Sequence, residues 1–207
     1  MMKLCILLIM SVFSLCGTGE ETPVITKEMF VNEIFNQVAD SSLHKYYLLQ
    51  ESVPCSFKRF DFDEWMKYGL RETISFDVLN ELARNTCRDS SRKSWVQANL
   101  QKAVCIRDDQ ARAILDPIFS LRDQTGMSKT EKRKTIREQQ KAWDKKPLEE
   151  KLVFCFSTPE FTDDYQYAVI DVSIRCDEKA CGSGCTYIFH REGRGWRIAG
   201  EMMSWAG

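Results

Sequence analysis

Alternation of hydrophobic and polar positions is clearest in the C-terminal quarter of the chain. Four runs there are rich in β-branched and aromatic residues and are separated by turn signals: KLVFCFS, YQYAVIDVSIR, CTYIFHR and GWRIAGEMMSW. In the second run the even positions from Ala168 to Ile174 are apolar and the odd positions are mostly polar. Because side chains alternate between the faces of a strand, this pattern predicts one buried face and one wetter face. The predicted buried set is Ala168, Ile170, Val172, Ile174, Trp196 and Ile198.

Short connections between these runs determine the predicted sheet topology. Residues 191–195 (REGRG) suit a hairpin, and residues 176–185 (CDEKACGSGC) join the second run to the third. Parallel neighbours need a crossover of about a dozen residues or more, so connections of this length favour an antiparallel meander. We therefore predict an antiparallel sheet of four or more strands over residues 151–205.

The pattern before this sheet is mainly helical. Helices are predicted at residues 26–40, 61–68, 75–87 and 108–117, and at 127–144, where Ser128 and Glu131 form a capping box. Residues 43–54 are β-like or irregular, and residues 94–106 fit a helix or a short strand. The predicted fold class is α+β, with several short helices in residues 26–146 packed on one face of the C-terminal antiparallel meander.

The N-terminus has the organisation of an export signal. Lys3 precedes the uninterrupted apolar run LCILLIMSVFSLC, and Gly17-Thr18-Gly19 follows it. We predict a signal peptide over residues 1–19, cleaved after Gly19, and a single domain over residues 20–207. A rival interpretation is a lipoprotein signal in which Cys16 carries the lipid. Both interpretations predict an exported protein of the periplasm, the cell envelope or the extracellular space.

Cysteine usage agrees with export, because seven of the nine cysteines lie outside the predicted signal. Cys176, Cys181 and Cys185 are the disulfide candidates, and their C-x4-C-x3-C pattern spans the loop between two predicted strands. Position favours a link from Cys176 to Cys185, since these two residues flank the loop. A zinc site would need a fourth ligand such as Cys155 or His190, and a reactive thiol is the third alternative.

The charge pattern does not by itself require a charged partner, because the formal net charge is −1. Residues 129–151 nevertheless hold nine basic and five acidic residues. We interpret this segment as a solvated helix that docks through Ile136 and Trp143, and an anionic partner is the alternative.

No catalytic motif is present. Histidine occurs only at His44 and His190. A triad of His190 with Asp171 and Ser173 lacks a nucleophile elbow, so we interpret His190 as a solvent-facing strand residue. Phosphate-binding loops, HExxH and EF-hand patterns are missing as well. No catalytic, cofactor-binding or metal-binding residue is therefore predicted.

Several short motifs carry a resemblance: FSTPEF at residues 156–161, YAVIDV from Tyr167, Cys176 followed by CGSG from Cys181, and GRGWRI at residues 193–198. With these motifs the C-terminal half resembles a group of exported proteins and lipoproteins of Bacteroidota-type bacteria that has no established activity. The resemblance implies no catalytic residue, and it implies that Cys176 pairs with Cys181. Cys185 departs from the glycine-rich stretch of that group.

Together these features predict an exported, non-enzymatic binding or structural module of the envelope or extracellular space. Its partner or ligand is an unidentified envelope component. We expect no cofactor and no nucleic acid, and membrane contact only through a lipid on Cys16. The alternative is a secreted hydrolase or thiol-dependent enzyme, which a cleft holding His190 or a free cysteine beside an ionisable group would favour.

Overall fold

A computed structural model of the chain describes residues 25–39, 41–57, 69, 74–88, 91–118, 121, 126–176 and 182–206. Its helices are α1 (Lys27–Val38), α2 (Phe76–Arg88), α3 (Asp108–Leu115) and α4 (Lys129–Asp144), and one-turn 3-10 helices lie at Gln97–Asn99 and Leu148–Glu150. The strands are β1 (Tyr46–Leu49), β2 (Ala103–Ile106), β3 (Val153–Phe156), β4 (Glu160–Phe161), β5 (Tyr167–Arg175), β6 (Gly182–Glu192) and β7 (Gly195–Ala206). These elements confirm the α+β class. The helix predicted at residues 61–68 lies outside the described residues.

The strands form one seven-stranded sheet in the order β2-β1-β3-β5-β6-β7, and β4 pairs with β5. Neighbours from β3 to β7 are antiparallel, as predicted. The predicted hairpin joins β6 to β7 through Gly193 and Arg194. Gly193 has a φ of 61°, a conformation that costs other residues more than glycine.

The other edge of the sheet differs from the prediction, because β1 runs parallel to both β2 and β3. The mainly helical N-terminal part therefore contributes two strands. Each has only four residues, and its partners lie far away along the chain. No local turn signal marks such a pairing, which is why the alternation pattern did not predict it.

Helix α1 covers one face of the sheet. Thr26 caps it by accepting a hydrogen bond from the backbone N of Met29 at 3.2 Å. Phe30 and Ile34 belong to the apolar stripe of α1, and both side chains are completely buried. This stripe packs on residues from five strands: Leu48, Phe154, Ala168, Ile170, Phe189 and Trp196.

The opposite face is also covered, so the expectation that the helices pack on one face was wrong. Helix α2 packs Leu79 and Leu82 against the opposite face, where Val169 lies. Helix α3 packs Ala111 against Val153 on the same side. Val169 stands among the mostly polar odd positions of the second run and has 0% exposure. Because α1 and α2 cover opposite faces of the sheet, the centre of β5 is shielded from water on both faces.

The predicted buried set is confirmed at four of its six residues. Ala168, Ile170, Val172 and Trp196 are buried, and Ile174 is half-buried against the same core. Ile198 is 37% exposed. It lies on β7, which pairs only with β6 among the described strands, so one side of its side chain faces solvent.

Helix α4 begins with the predicted capping box. The backbone N of Glu131 donates to Ser128 Oγ at 3.3 Å, and the backbone N of Ser128 donates to Glu131 Oε2 at 3.1 Å. Ser128 Oγ also donates to Glu131 Oε2 at 2.7 Å, and this bond, together with the one from the Ser128 backbone N, lowers the pKa of the Glu131 carboxyl group. The helix docks near its end, where Trp143 Nε1 donates to the carbonyl of Ile114 at 2.8 Å. None of the described helices is long and apolar enough for a membrane span.

Candidate functional site

A cleft of about 610 Å³ opens at the carboxyl ends of the parallel strands β1 and β2. Leu49 and Ile106, the last residues of these strands, form part of its floor together with Cys155 and Arg175. This floor is the face opposite α1, because Leu49 alternates with Leu48, which packs on α1. Ligands commonly bind outside the carboxyl ends of parallel strands, where the following loops leave a crevice.

A second cavity of about 130 Å³ extends the cleft under α3. Leu49, Asp108, Cys155 and Arg175 line both spaces. The smaller space also contacts Leu115 at the end of α3. The smaller cavity is lined by both apolar and charged residues, since Asp108, Arg112 and Arg175 line it together with Leu115.

One wall of the cleft is the start of α3, which follows β2 directly. The backbone N of Arg107 donates to Gln110 Oε1 at 2.9 Å and helps to start the helix. The Arg107 guanidinium meets Asp109 at 3.1 Å for Nε to Oδ1 and 3.2 Å for Nη2 to Oδ2. This hydrogen-bonded pair raises the pKa of Arg107 and lowers the pKa of Asp109. Arg107 and Asp109 thus form an ion pair with each other.

The facing wall holds a second pair, Arg92 Nη1 and Glu51 Oε2, which are 3.8 Å apart. Two charged groups of the cleft remain outside these pairs, Arg175 and Asp108. Within the described part of the chain neither of them forms an ion pair. In the larger cleft Arg175 and Asp108 are thus the cation and the anion outside these pairs, and Arg112 adds a further cation to the smaller cavity.

Cys155 is the free thiol of the floor, and it is only 5% exposed. Burial raises the pKa of this thiol, and the nearby charge of Arg175 opposes the rise. The thiolate is the nucleophilic form of cysteine. Because the raised pKa keeps Cys155 protonated at neutral pH, this position is unsuited to nucleophilic catalysis.

Three other described thiols, those of Cys55, Cys105 and Cys185, also have raised pKa values. Burial, followed by the negative charge of Asp171, raises the pKa of Cys55 to about 12. Burial also raises the pKa values of Cys105 and Cys185. Cys87 is an exposed free thiol away from the cleft.

Asp171 connects β5 to the segment that follows β1. Its carboxylate accepts hydrogen bonds from Thr186 Oγ1 at 2.6 Å and from the backbone N of Ser56. Its backbone exchanges two further hydrogen bonds with Ser157, each at 2.9 Å. Both carboxylate oxygens are thus used within the protein, and the group has a structural role.

His190, Asp171 and Ser173 do not form a catalytic triad in the structure. His190 pairs with Tyr167 across β5 and β6, and their ring centroids are 4.7 Å apart. Asp171 pairs with Thr186, four residues from the position of His190 along β6. Ser173 Oγ lies 3.5 Å from the carbonyl of Cys155, to which it donates. His190 is half-buried against Tyr167 instead of being fully solvent-facing.

The three disulfide candidates, Cys176, Cys181 and Cys185, do not share one state in the structure. Cys176 is disulfide-bonded. Cys185 is a free thiol inside β6, where it pairs with Val172, so this structure does not contain the link from Cys176 to Cys185. The strand begins at Gly182, earlier than predicted, and this moves Cys185 out of the loop. Cys181 and the candidate lipidation site Cys16 lie outside the described residues, and the implied pairing of Cys176 with Cys181 stays a prediction.

A metal site is not found among the residues that the structure describes, where no group of three or more His, Cys, Asp or Glu side chains is arranged to hold an ion. The zinc alternative required Cys185 together with Cys155 or His190. These residues belong to different faces of the sheet, since Cys185 pairs with Val172 and Cys155 pairs with Ser173.

The cleft itself was not predicted from the sequence. Asp108 and Asp109 were assigned to a helix start, and α3 does begin at Asp108. The missed signal is the apolar run AVCI followed at once by charged residues and a helical pattern. A strand that leads directly into a helix is typical of the crevice at the end of a parallel sheet.

Comparison with known proteins adds no assignment to this site. The resemblance of the C-terminal half to exported proteins and lipoproteins stays a prediction. No family model, curated protein or solved structure matches the chain.

Proposed function

We propose that the protein is an exported, non-enzymatic binding module that holds a small zwitterionic molecule in the cleft between β1, β2 and α3. Free amino acids and short peptides are ligands of this class. The proposal depends on one observation: the cleft places an unpaired cation, Arg175, and an unpaired anion, Asp108, around an apolar floor.

Size and lining support a small ligand. Small-molecule sites commonly measure roughly 300–1,000 Å³ and combine an apolar surface with a few polar groups. The cleft measures about 610 Å³, and Leu49, Val53 and Ile106 supply apolar surface. An apolar side chain of the ligand would contact Leu49, Val53 and Ile106.

The charges support a zwitterion. Arg175 can donate two parallel hydrogen bonds to a carboxylate, the geometry that makes arginine effective in carboxylate recognition. Asp108 can accept hydrogen bonds from an ammonium group. A ligand with a single charge would engage only one of the two groups, whereas a zwitterion engages both.

Isothermal titration of the full chain with four probes tests this proposal: leucine, hexanoate, hexylamine and hexanol. We expect leucine to bind most tightly, because only leucine engages both Arg175 and Asp108. Arg175→Gln should weaken leucine and hexanoate, and Asp108→Asn should weaken leucine and hexylamine. Each charge-assisted hydrogen bond is worth about 1.5–3 kcal/mol, so each loss should be about 10-fold or more.

Arg194→Gln is the matched control, because Arg194 is an exposed arginine in the β6–β7 turn, outside the cleft. It should bind leucine like the unmodified protein. Equal binding of hexanol and leucine, or unchanged leucine binding in both cleft variants, would contradict the proposal.

The alternative function, a thiol-dependent enzyme, would use Cys155 because this free thiol lies in the same cleft. Its raised pKa argues against that role. Iodoacetamide labelling distinguishes the two functions: a binding module should be labelled at Cys155 slowly at neutral pH and faster above pH 9, whereas an activated thiol would react rapidly at neutral pH.

A further inference from the structure

Helix α4 has two distinct faces. One face contacts the body of the protein through half-buried residues: Lys132, Thr135, Ile136, Gln139 and Trp143. Trp143 secures the helix end through its hydrogen bond to Ile114, and Lys151 Nζ lies 4.5 Å over the Trp143 ring. The expected docking is thus observed at Trp143, and Ile136 is half-buried on the same face of the helix.

The opposite face of α4 is basic and exposed, and we name it the basic face. Its cations are Arg133, Lys134, Arg137 and Lys141, which recur at the spacing of one helix surface. With Thr130 and Glu138 they line a shallow groove of about 430 Å³. Glu138 is the acidic residue of this groove, and its Oε1 lies 4.0 Å from Lys134 Nζ, with both side chains largely exposed.

The basic face is not explained by the stability of the helix. Arg133, Arg137 and Lys141 follow one another at four-residue intervals, and like charges at this spacing destabilise a helix. Net charge does not explain it either. The whole chain has a formal charge of −1, while residues 129–151 alone hold nine basic and five acidic residues. The cations are therefore concentrated on one surface at some expense of local stability.

We propose that the basic face of α4 binds the surface of a bilayer that contains anionic phospholipids. Arginine and lysine bind phosphate oxygens through charge-assisted hydrogen bonds. Lipid headgroups move laterally, so they can gather under a straight row of cations without a preformed arrangement. This inference concerns a surface separate from the cleft and does not depend on the proposed ligand.

The composition of the basic face favours lipid over other anionic partners. Protein interfaces usually centre on aromatic or aliphatic anchor residues, and the groove residues include none. Single-stranded nucleic acids are usually held by aromatic side chains that stack on bases, and these are equally missing from the groove. A predominantly cationic surface without apolar anchor residues suits a fluid anionic layer.

Vesicle sedimentation with the full chain tests the proposal. Vesicles of phosphatidylcholine alone are compared with vesicles that also contain phosphatidylserine, so that any apolar insertion of the N-terminus contributes equally to both. We expect binding to require phosphatidylserine and to fall as salt is raised, because exposed charges are screened. The triple variant Arg133→Gln, Arg137→Gln, Lys141→Gln should bind the phosphatidylserine vesicles about 100-fold more weakly. Each cation near an anionic surface raises the affinity about fivefold, and the variant lacks three of them.

A matched triple variant removes the same number of exposed cations elsewhere: Arg84→Gln, Arg88→Gln and Arg194→Gln. It should retain phosphatidylserine binding within a few-fold. Far-UV circular dichroism shows whether each variant keeps its helices.

Three results would overturn the inference. The first is equal loss of binding in the two triple variants, since net charge alone would then explain the effect. The second is equal binding to vesicles with and without phosphatidylserine. The third is tighter binding to a double-stranded oligonucleotide than to the anionic vesicles, which would identify a nucleic-acid surface instead.

Discussion

Phe30 offers the most direct test of how α1 and the sheet stabilise each other. Its side chain has 0% exposure, and its ring makes edge-to-face contacts with Phe161, Phe189 and Trp196 at centroid distances of 5.3, 5.5 and 5.1 Å. Truncating a buried phenylalanine to alanine costs about 3–5 kcal/mol. Aromatic pairs contribute about 0.5–1.5 kcal/mol each beyond burial. Because Phe30 has three such partners, we expect Phe30→Ala to reduce the free energy of unfolding by about 4–5 kcal/mol.

Urea unfolding followed by circular dichroism measures this loss. Met29→Ala is the matched control, because Met29 is the preceding residue of α1 and is 53% exposed. It should change the free energy of unfolding by less than about 0.5 kcal/mol. A loss below about 1 kcal/mol for Phe30→Ala, or equal losses for the two variants, would refute the packing of α1 on this face.

Two further predictions concern a thiol and a turn. The pKa of Cys55 is raised from 9.0 to about 12, so its neutral form stabilises the fold below pH 9 and this contribution disappears as the pH rises from 9 to 12. Cys55→Ala should therefore flatten the alkaline loss of stability, by at most about 4 kcal/mol at pH 12, while Cys87→Ala at an exposed position should leave the pH profile unchanged. Gly193→Ala should reduce the free energy of unfolding by about 1 kcal/mol, because Gly193 has a positive φ that alanine adopts at a cost. Gly195→Ala is the control, since a Cβ at Gly195 likewise meets no atom within 4 Å, and it should change the free energy of unfolding less. Equal changes of the two variants in thermal unfolding would contradict the assigned turn.

Local sequence patterns predicted the parts of the fold that are held together by neighbours in the chain. The β6–β7 hairpin and the capping box at Ser128 each depend on residues fewer than five positions apart. Strand alternation also predicted the buried face that α1 covers, because each position on β5 repeats the same two-residue period.

Features that depend on distant partners were not predictable in this way. Val169 is buried only because α2 covers the second face of the sheet, and nothing near Val169 in the sequence records that contact. The cleft combines Leu49, Asp108 and Arg175 from three remote segments. Arg175 in particular has the appearance of an ordinary polar strand residue, and only the parallel pairing of β1 with β2 gives it a role.

Parallel pairing at one edge of the sheet also has a kinetic consequence. The β6–β7 turn closes a very short loop, whereas pairing β1 with β2 must close a loop of residues 50–102, and long loops cost more entropy to close. We expect the meander to form first and the β1–β2 edge to close last and open most often, which amide hydrogen exchange would show as lower protection in β2 than in β6. A ligand that contacts both Arg175 on β5 and Asp108 after β2 would link the β1–β2 edge, which opens most often, to the meander strands, which open least often. Binding in the cleft would then slow exchange in β2 and leave β6 unchanged, so that occupancy of the cleft would itself control how often this edge of the sheet opens.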